Sequence, residues 1–123
     1  MWVCVRDRRL LVVRTHGLDV FYLPGGTPEA GESPAETVIR EVAEETGIRL
    51  DPAALQPFAE FVEPAHGRPG TVRLICFTGP GEGEPHPADE IAEAAWFTSA
   101  DLEKCAPGLH PVIRTLADSG EIY

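Results

Sequence analysis

The stretch from Gly25 to Ile48, GGTPEAGESPAETVIREVAEETGI, constrains this chain more than any other. It reads as a glycine turn, a loop, a capped helix and a stop. Ser33 suits a helix N-cap, Pro34 the first helical position, and Glu36 the place where a capping box wants its carboxylate. Gly47 supplies the left-handed residue that ends a helix. Between them Ala35, Val38, Ile39, Val42 and Thr46 recur at helical spacing, which predicts a buried face. At roughly 100° per residue, Glu41, Glu44 and Glu45 gather on an adjacent face, spread over about a quarter of the circumference.

Three carboxylates on one face repel one another, whereas ordinary surface helices mix signs. Arg40 can offset part of this by pairing with Glu36 or Glu44 at i,i+4. The remaining charge is either a solvated acidic face or a cation site. All-oxygen, anionic ligands favour a hard ion, magnesium or alternatively manganese.

The acidic group does not stand alone. Gly26, Glu32, Arg40, Glu41, Val42, Glu44, Glu45, Gly47 and Ile48 stand at the spacing G-x5-E-x7-R-E-U-x-E-E-x-G-U, where U is aliphatic. This resembles the Nudix box in full, with every specified position present. The box covers about a fifth of the chain, and the general layout of the family extends over nearly all of it.

Composition and charge fit one soluble enzyme-sized unit. At 123 residues with 43% hydrophobic content, a single domain over residues 1–123 with a moderate core is expected. The net charge is -10, and six of the fourteen glutamates lie between Glu29 and Glu45. So acidic a chain lacks the electrostatic footprint of a nucleic-acid or anionic-membrane binder. A bound divalent ion would invert the local sign, so small anionic molecules remain candidate ligands. No stretch reads as a signal peptide or a membrane span, because charged residues interrupt the early apolar run; the cytoplasm is the expected compartment. Cys4 and Cys76 lie in apolar runs and read as core residues, Cys105 as an exposed thiol near a turn, and no disulfide is expected.

In chain order, Trp2–Val5 and Leu10–Arg14 read as strands of a hairpin turning at Asp7-Arg8-Arg9, and Asp19–Leu23 as a third strand with Phe21 and Tyr22 on opposite faces. After the box helix, Arg49–Leu55 reads as a connector. Gln56–Glu63 and Thr71–Thr78 read as a hairpin around the loop Pro64–Gly70. Gly79–Pro87 reads as a loop unable to pack, Asp89–Ala94 as a single helical turn, and Ala95–Thr98 as a short strand. Thr98 or Ser99 caps a turn over Ala100–Lys104, and Pro111–Asp118 forms a second helix with Val112, Ile113 and Leu116 inward. Strands interleaved with two main helices suit a mixed sheet covered on both faces, and the resemblance makes this the Nudix-type α/β/α sandwich, an α/β fold.

The resemblance implies metal-assisted hydrolysis of a phosphoanhydride bond in a nucleoside diphosphate linked to another group. It assigns metal binding to Glu41, Glu44 and Glu45, one of which acts as base in some members, with a backbone carbonyl from Gly26 or the adjacent Gly25. Arg40 is then an orienting partner of the box glutamates, and Glu32 ties the loop to the helix. Relatives often place a further metal-binding or basic glutamate before a WF-like strand; Glu90 fills that place here, with Glu93 as its rival. Arg14 could reach phosphate, and Tyr22 or Phe97 could stack on a base, although strand aromatics are more often core. Arg73 can face either way. His16, His66, His86 and His110 lack metal-ligand spacing. A MutT-like nucleoside triphosphate pyrophosphohydrolase fits the compact size; an ADP-ribose or nucleotide-sugar pyrophosphatase is the alternative. A non-catalytic nucleotide-binding module normally shows a broken box, and mRNA decapping needs a basic RNA path that a charge of -10 does not offer. The oligomeric state is open between monomer and homodimer.

Overall fold

The computed structural model describes residues 1–64 and 69–123. The chain runs β1 (Trp2–Val3), β2 (Val5–Arg6), β3 (Arg9–Thr15), α1 (Pro34–Thr46), β4 (Arg49–Leu50), β5 (Gln56–Pro64), β6 (Thr71–Thr78), β7 (Gly81–Glu82), β8 (Ile91–Phe97) and α2 (His110–Asp118), with 3-10 turns at Ser99–Lys104 and Pro107–Leu109 between β8 and α2. Two three-stranded sheets, β1-β6-β5 and β2-β3-β8, carry the fold, with a small β4-β7 pair beside them. Among the described strands β1 and β6 run parallel and the other pairs are antiparallel, so the strands are mixed as expected.

Alternation along β3 explains the layering. Leu10 and Val12 enter one core with Val3, Phe21, Phe97, Val112, Ile113 and Leu116, on the α2 side. Leu11 enters the other, with Trp2, Cys4, Val38, Val42, Ile48 and Leu50, on the α1 side. A strand buried on both faces reads as a continuous apolar run, and LLVV is that run. The helices therefore cover opposite faces, an α/β/α sandwich in agreement with the expected fold.

Helix α1 is built as its sequence demands. Ser33 Oγ accepts from Glu36 N and Glu36 Oε1 accepts from Ser33 N, completing the capping box; Gly47 ends the helix at φ 77°. Val38, Val42 and Thr46 are buried. Helix α2 begins one residue before the expected Pro111 and buries Val112, Ile113 and Leu116. The β5–β6 hairpin forms, with a register shift between Pro57 and Ala59; the predicted loop Pro64–Gly70 falls largely on residues 65–68, outside the described residues.

Six expectations change. Trp2–Val5 is divided, Trp2–Val3 pairing with β6 and Val5–Arg6 with β3. Arg49–Leu50, at the start of the expected connector, is β4. Residues 19–23 make isolated bridges, Val13 to Tyr22 and Phe21 to Cys105, and form no strand. The segment read as a loop unable to pack contains β7, which pairs with β4. Gly81 packs there because a Cβ would lie 2.6 Å from Ile48 and 2.8 Å from the Trp2 ring, so the absent side chain is what admits the backbone. Trp2 Nε1 donates to Gly79 O, and Arg6 donates to Gly81 O and Gly83 O, tying the segment down. Residues 91–94 are strand, since β8 pairs with β3 along its whole length and this ladder outweighs the helix preference of Ala and Glu. Cys105 is buried like Cys4 and Cys76, and all three are free thiols.

Candidate active site

Arg40 is the hub of the loop-helix junction. Its Nε donates to Glu32 Oε2 at 2.7 Å, Nη2 to Glu32 Oε1 at 2.9 Å, and Nη1 to Glu41 Oε1 at 2.9 Å and Glu44 Oε2 at 3.3 Å. The planar fork suits this bidentate grip on Glu32, which a lysine could not reproduce. The grip, with help from the Glu29 backbone N–H, holds the Glu32 carboxyl at about 2, well below the ordinary range. Glu32 Oε1 also accepts from Glu29 N and Thr37 Oγ1, so the loop between Gly26 and Ser33 is fastened to the first turns of α1. Arg40 thus touches Glu41 and Glu44, two of the glutamates it is expected to orient, while Glu36 is taken by the cap.

Glu45 stands apart. It is only 4% exposed, and among the described residues its carboxylate accepts one hydrogen bond, from Gly25 N at 2.8 Å. Among the described residues it has no ion-pair partner; Arg40 turns to Glu32, Glu41 and Glu44 instead. Burial first, and then repulsion from Glu41, Glu90 and Glu44, raises its carboxyl to about 7 against the Gly25 hydrogen bond. The Met1 ammonium interacts with it electrostatically without closing an ion pair, and a buried acid is costly unless a positive charge joins it directly.

Carboxylate oxygens of Glu41, Glu45 and Glu90 lie within 4.8 Å of one another. Three carboxylates this close could hold one hard divalent ion between them. The room for it is specific: a Cβ on Gly26 would fall 2.5 Å from Glu41 Cδ, so Gly26 leaves the space that the Glu41 carboxylate fills. Hard oxygen donors, a net negative site and a buried acid that makes no ion pair among the described residues fit a divalent cation.

Other expected site residues fall differently. Glu44 is turned towards Arg40 and is 45% exposed at its side chain, outside the close triangle. Glu90 takes the third corner, and its rival Glu93 instead pairs with Arg14 at 3.2 Å. Arg14 is further committed to Leu18 O at 2.9 Å. Phe97 is a correction: it is buried in the α2-side core, 4.7 Å centroid to centroid from Phe21, and offers no free face to a base. Tyr22 is half-buried and paired through its backbone with Val13, which directs it to the face opposite Phe21. Arg73 pairs with Glu60 on the exposed side of the hairpin. Sequence reasoning missed the selective burial of Glu45, although its place one residue before the apolar Thr46 edge of the helix carried that signal.

Comparison with known proteins agrees with this fold. The NUDIX domain family profile matches residues 1–116. A Bacillus subtilis protein, YjhB, named as a proposed ADP-ribose pyrophosphatase, is 32% identical over 108 residues, covering 83% of this chain and 50% of that protein. A MutT-like protein of Streptomyces ambofaciens is 32% identical over 98 residues, covering 80% and 60%. The chain thus spans half to three-fifths of the length of these relatives. The crystal structure of the mutator MutT protein from Bacillus halodurans superposes with a TM-score of 0.71 at 28% identity, covering 92% of this chain and 76% of that one. The family match over nearly the whole length, with the likeness of fold, places this chain in the Nudix family.

Proposed function

We propose that this protein is a magnesium-dependent, MutT-like nucleoside triphosphate pyrophosphohydrolase, releasing a monophosphate and pyrophosphate. The observation that carries the reading is the Glu41, Glu45 and Glu90 triangle built around a buried carboxylate that makes no ion pair among the described residues. These three carboxylates would hold the cation, with Gly25 N–H fixing the Glu45 oxygen that points inward. When bound, such an ion screens the phosphate charge and acidifies water. Arg40 and Glu32 keep Glu41 aimed at the site from the helix side. A carboxylate oxygen of the group not engaged by the cation accepts the proton of the attacking water. The loop Gly25–Ser33, fastened by Glu32 and Arg40, walls the site against the sheet. We assign cytoplasmic action on a small nucleotide, with neither nucleic acid nor membrane as partner.

An ADP-ribose or nucleotide-sugar pyrophosphatase is the second reading, favoured by the name of YjhB. The two are separated by assaying phosphate and pyrophosphate release from nucleoside triphosphates, ADP-ribose and nucleotide sugars, with and without magnesium, beside Glu45→Gln. Pyrophosphate from triphosphates, lost without magnesium and in the variant, is the expected result. Cleavage of ADP-ribose alone selects the second reading. Turnover undiminished in Glu45→Gln overturns the site.

A further inference from the structure

The last turn of a helix leaves carbonyls without intrahelical partners, and those of α1 are closed from outside. Gly47 N donates to Ala43 O at 3.0 Å. Of the three carbonyls beyond, those of Glu45 and Thr46 are taken by a distant segment: Ala88 N donates to Glu45 O at 3.0 Å and His86 N to Thr46 O at 2.9 Å. The sequence there is Pro85-His86-Pro87-Ala88. Prolines have no N–H, so this segment owns just two backbone donors, and both go to the helix end. Each proline fixes its own φ and biases the residue before it towards an extended shape. An extended segment presents residues i and i+2 on one side, which is the spacing of His86 and Ala88.

Glu90 follows two residues later. Asp89 turns the chain at φ 57°, Ile91 N donates back to Ala88 O at 3.0 Å, and His16 N donates to Glu90 O at 2.9 Å. The Glu90 backbone is therefore fixed on one side to the end of β3 and on the other, through the proline segment, to the residue that carries the Glu45 carboxylate.

We propose that Pro85–Ala88 is a proline-stiffened clasp that fixes Glu90 to the C-terminal turn of α1, which makes Pro85 and Pro87 positioning residues for the cation site. The carboxylates of Glu45 and Glu90 come from elements 45 positions apart in the chain, and the clasp converts them into one rigid pair. The inference rests on the reading that Glu90 belongs to the cation-binding group.

The test is a Mn2+ titration followed by electron paramagnetic resonance, on the whole chain, for the wild type, Pro85→Gly/Pro87→Gly, Glu90→Gln and the combination. Loosening the clasp weakens Mn2+ binding roughly five-fold, the scale set by the chain entropy that two prolines withhold. In the Glu90→Gln background it weakens binding no further, because the clasp acts only through Glu90. Amide exchange at His86 and Ala88 of the metal-free double variant accelerates, while that of the α1 interior does not. The milder Pro87→Ala shows the same pattern in smaller measure and serves if the double variant folds poorly. Equal losses in both backgrounds, unchanged Mn2+ affinity, or unchanged exchange at His86 and Ala88 overturn the clasp while leaving the site reading intact. A Glu90→Gln variant that binds Mn2+ like the wild type overturns the place of Glu90 in the site, and the clasp with it.

Discussion

Replacing Glu45 by Gln separates what this residue costs the fold from what it does for the site. In the metal-free protein the folded chain keeps the Glu45 proton until about pH 7, whereas the unfolded chain releases it near 4.5. Between those values the native state binds more protons than the unfolded one, so stability falls as pH rises through this window and is level above it. A difference of about 2.5 units corresponds to about 3 kcal/mol at most, and screening by water at the open side of the site reduces it to about 1–2 kcal/mol. Glutamine keeps an oxygen for the Gly25 N–H and carries no charge. In EDTA, Glu45→Gln should therefore match the wild type at pH 4.5 and exceed it by about 1–2 kcal/mol at pH 8. Saturating magnesium should reverse the order, because a ligand bound only by the native wild type adds stability that the variant cannot gain. Urea denaturation at the two pH values, with and without magnesium, reads all four quantities. A variant less stable than the wild type at pH 8 in EDTA would refute the argument that Glu45 is a buried charge awaiting a cation.

Gly26→Ala forces the Glu41 carboxylate from its place, since the new Cβ would lie 2.5 Å from Cδ. Because the end of a side chain can swing away, the urea midpoint should fall little, by about 1 kcal/mol or less, while calorimetric titration shows markedly weaker magnesium binding. Arg40→Ala should lower the thermal midpoint most above pH 4.5 and lose its effect towards pH 2. The Glu32 pKa is depressed in the fold, so the stability this pair contributes is present above the unfolded pKa and disappears as the folded value is approached. All three cysteines are buried, and burial pushes the Cys4 and Cys105 thiols up to about 11. A disulfide reagent at pH 8 should label none of them in the native protein and all of them in urea.

The helix and its caps were legible because each signal is local: Ser33, Glu36 and Gly47 act on backbone groups within four residues of themselves. The acidic face was legible as well, but not its division of labour. Helical spacing puts Glu44 and Glu45 next to each other, and only the packing of α1 against the sheet decides that Glu45 is enclosed while Glu44 stays with Arg40. The strand at Ile91–Ala94 was hidden by residues that favour helices, since its cause is the register with β3 some 80 positions earlier. Gly79–Pro87 looked incapable of packing because glycine was read as flexibility, whereas at Gly81 it works as clearance for Trp2. Phe97 shows the same limit from the other side: an aromatic on a strand has two faces to choose from, and the sheet sends it to the α2-side core.

The parallel pairing of β1 with β6 sets the order in which the chain can become native. Trp2 joins Phe77 in register and its indole N–H reaches Gly79, 77 positions along the chain. Closing so long a loop early is entropically unfavourable, and contacts of this separation form late in folding. During synthesis Trp2 and Val3 emerge well before the strand that covers them, and for that interval a tryptophan destined for complete burial faces the solvent or a chaperone. Truncating Trp2 should therefore accelerate unfolding far more than it slows refolding, which locates the vulnerability of this protein in its native lifetime instead of in its search for the fold.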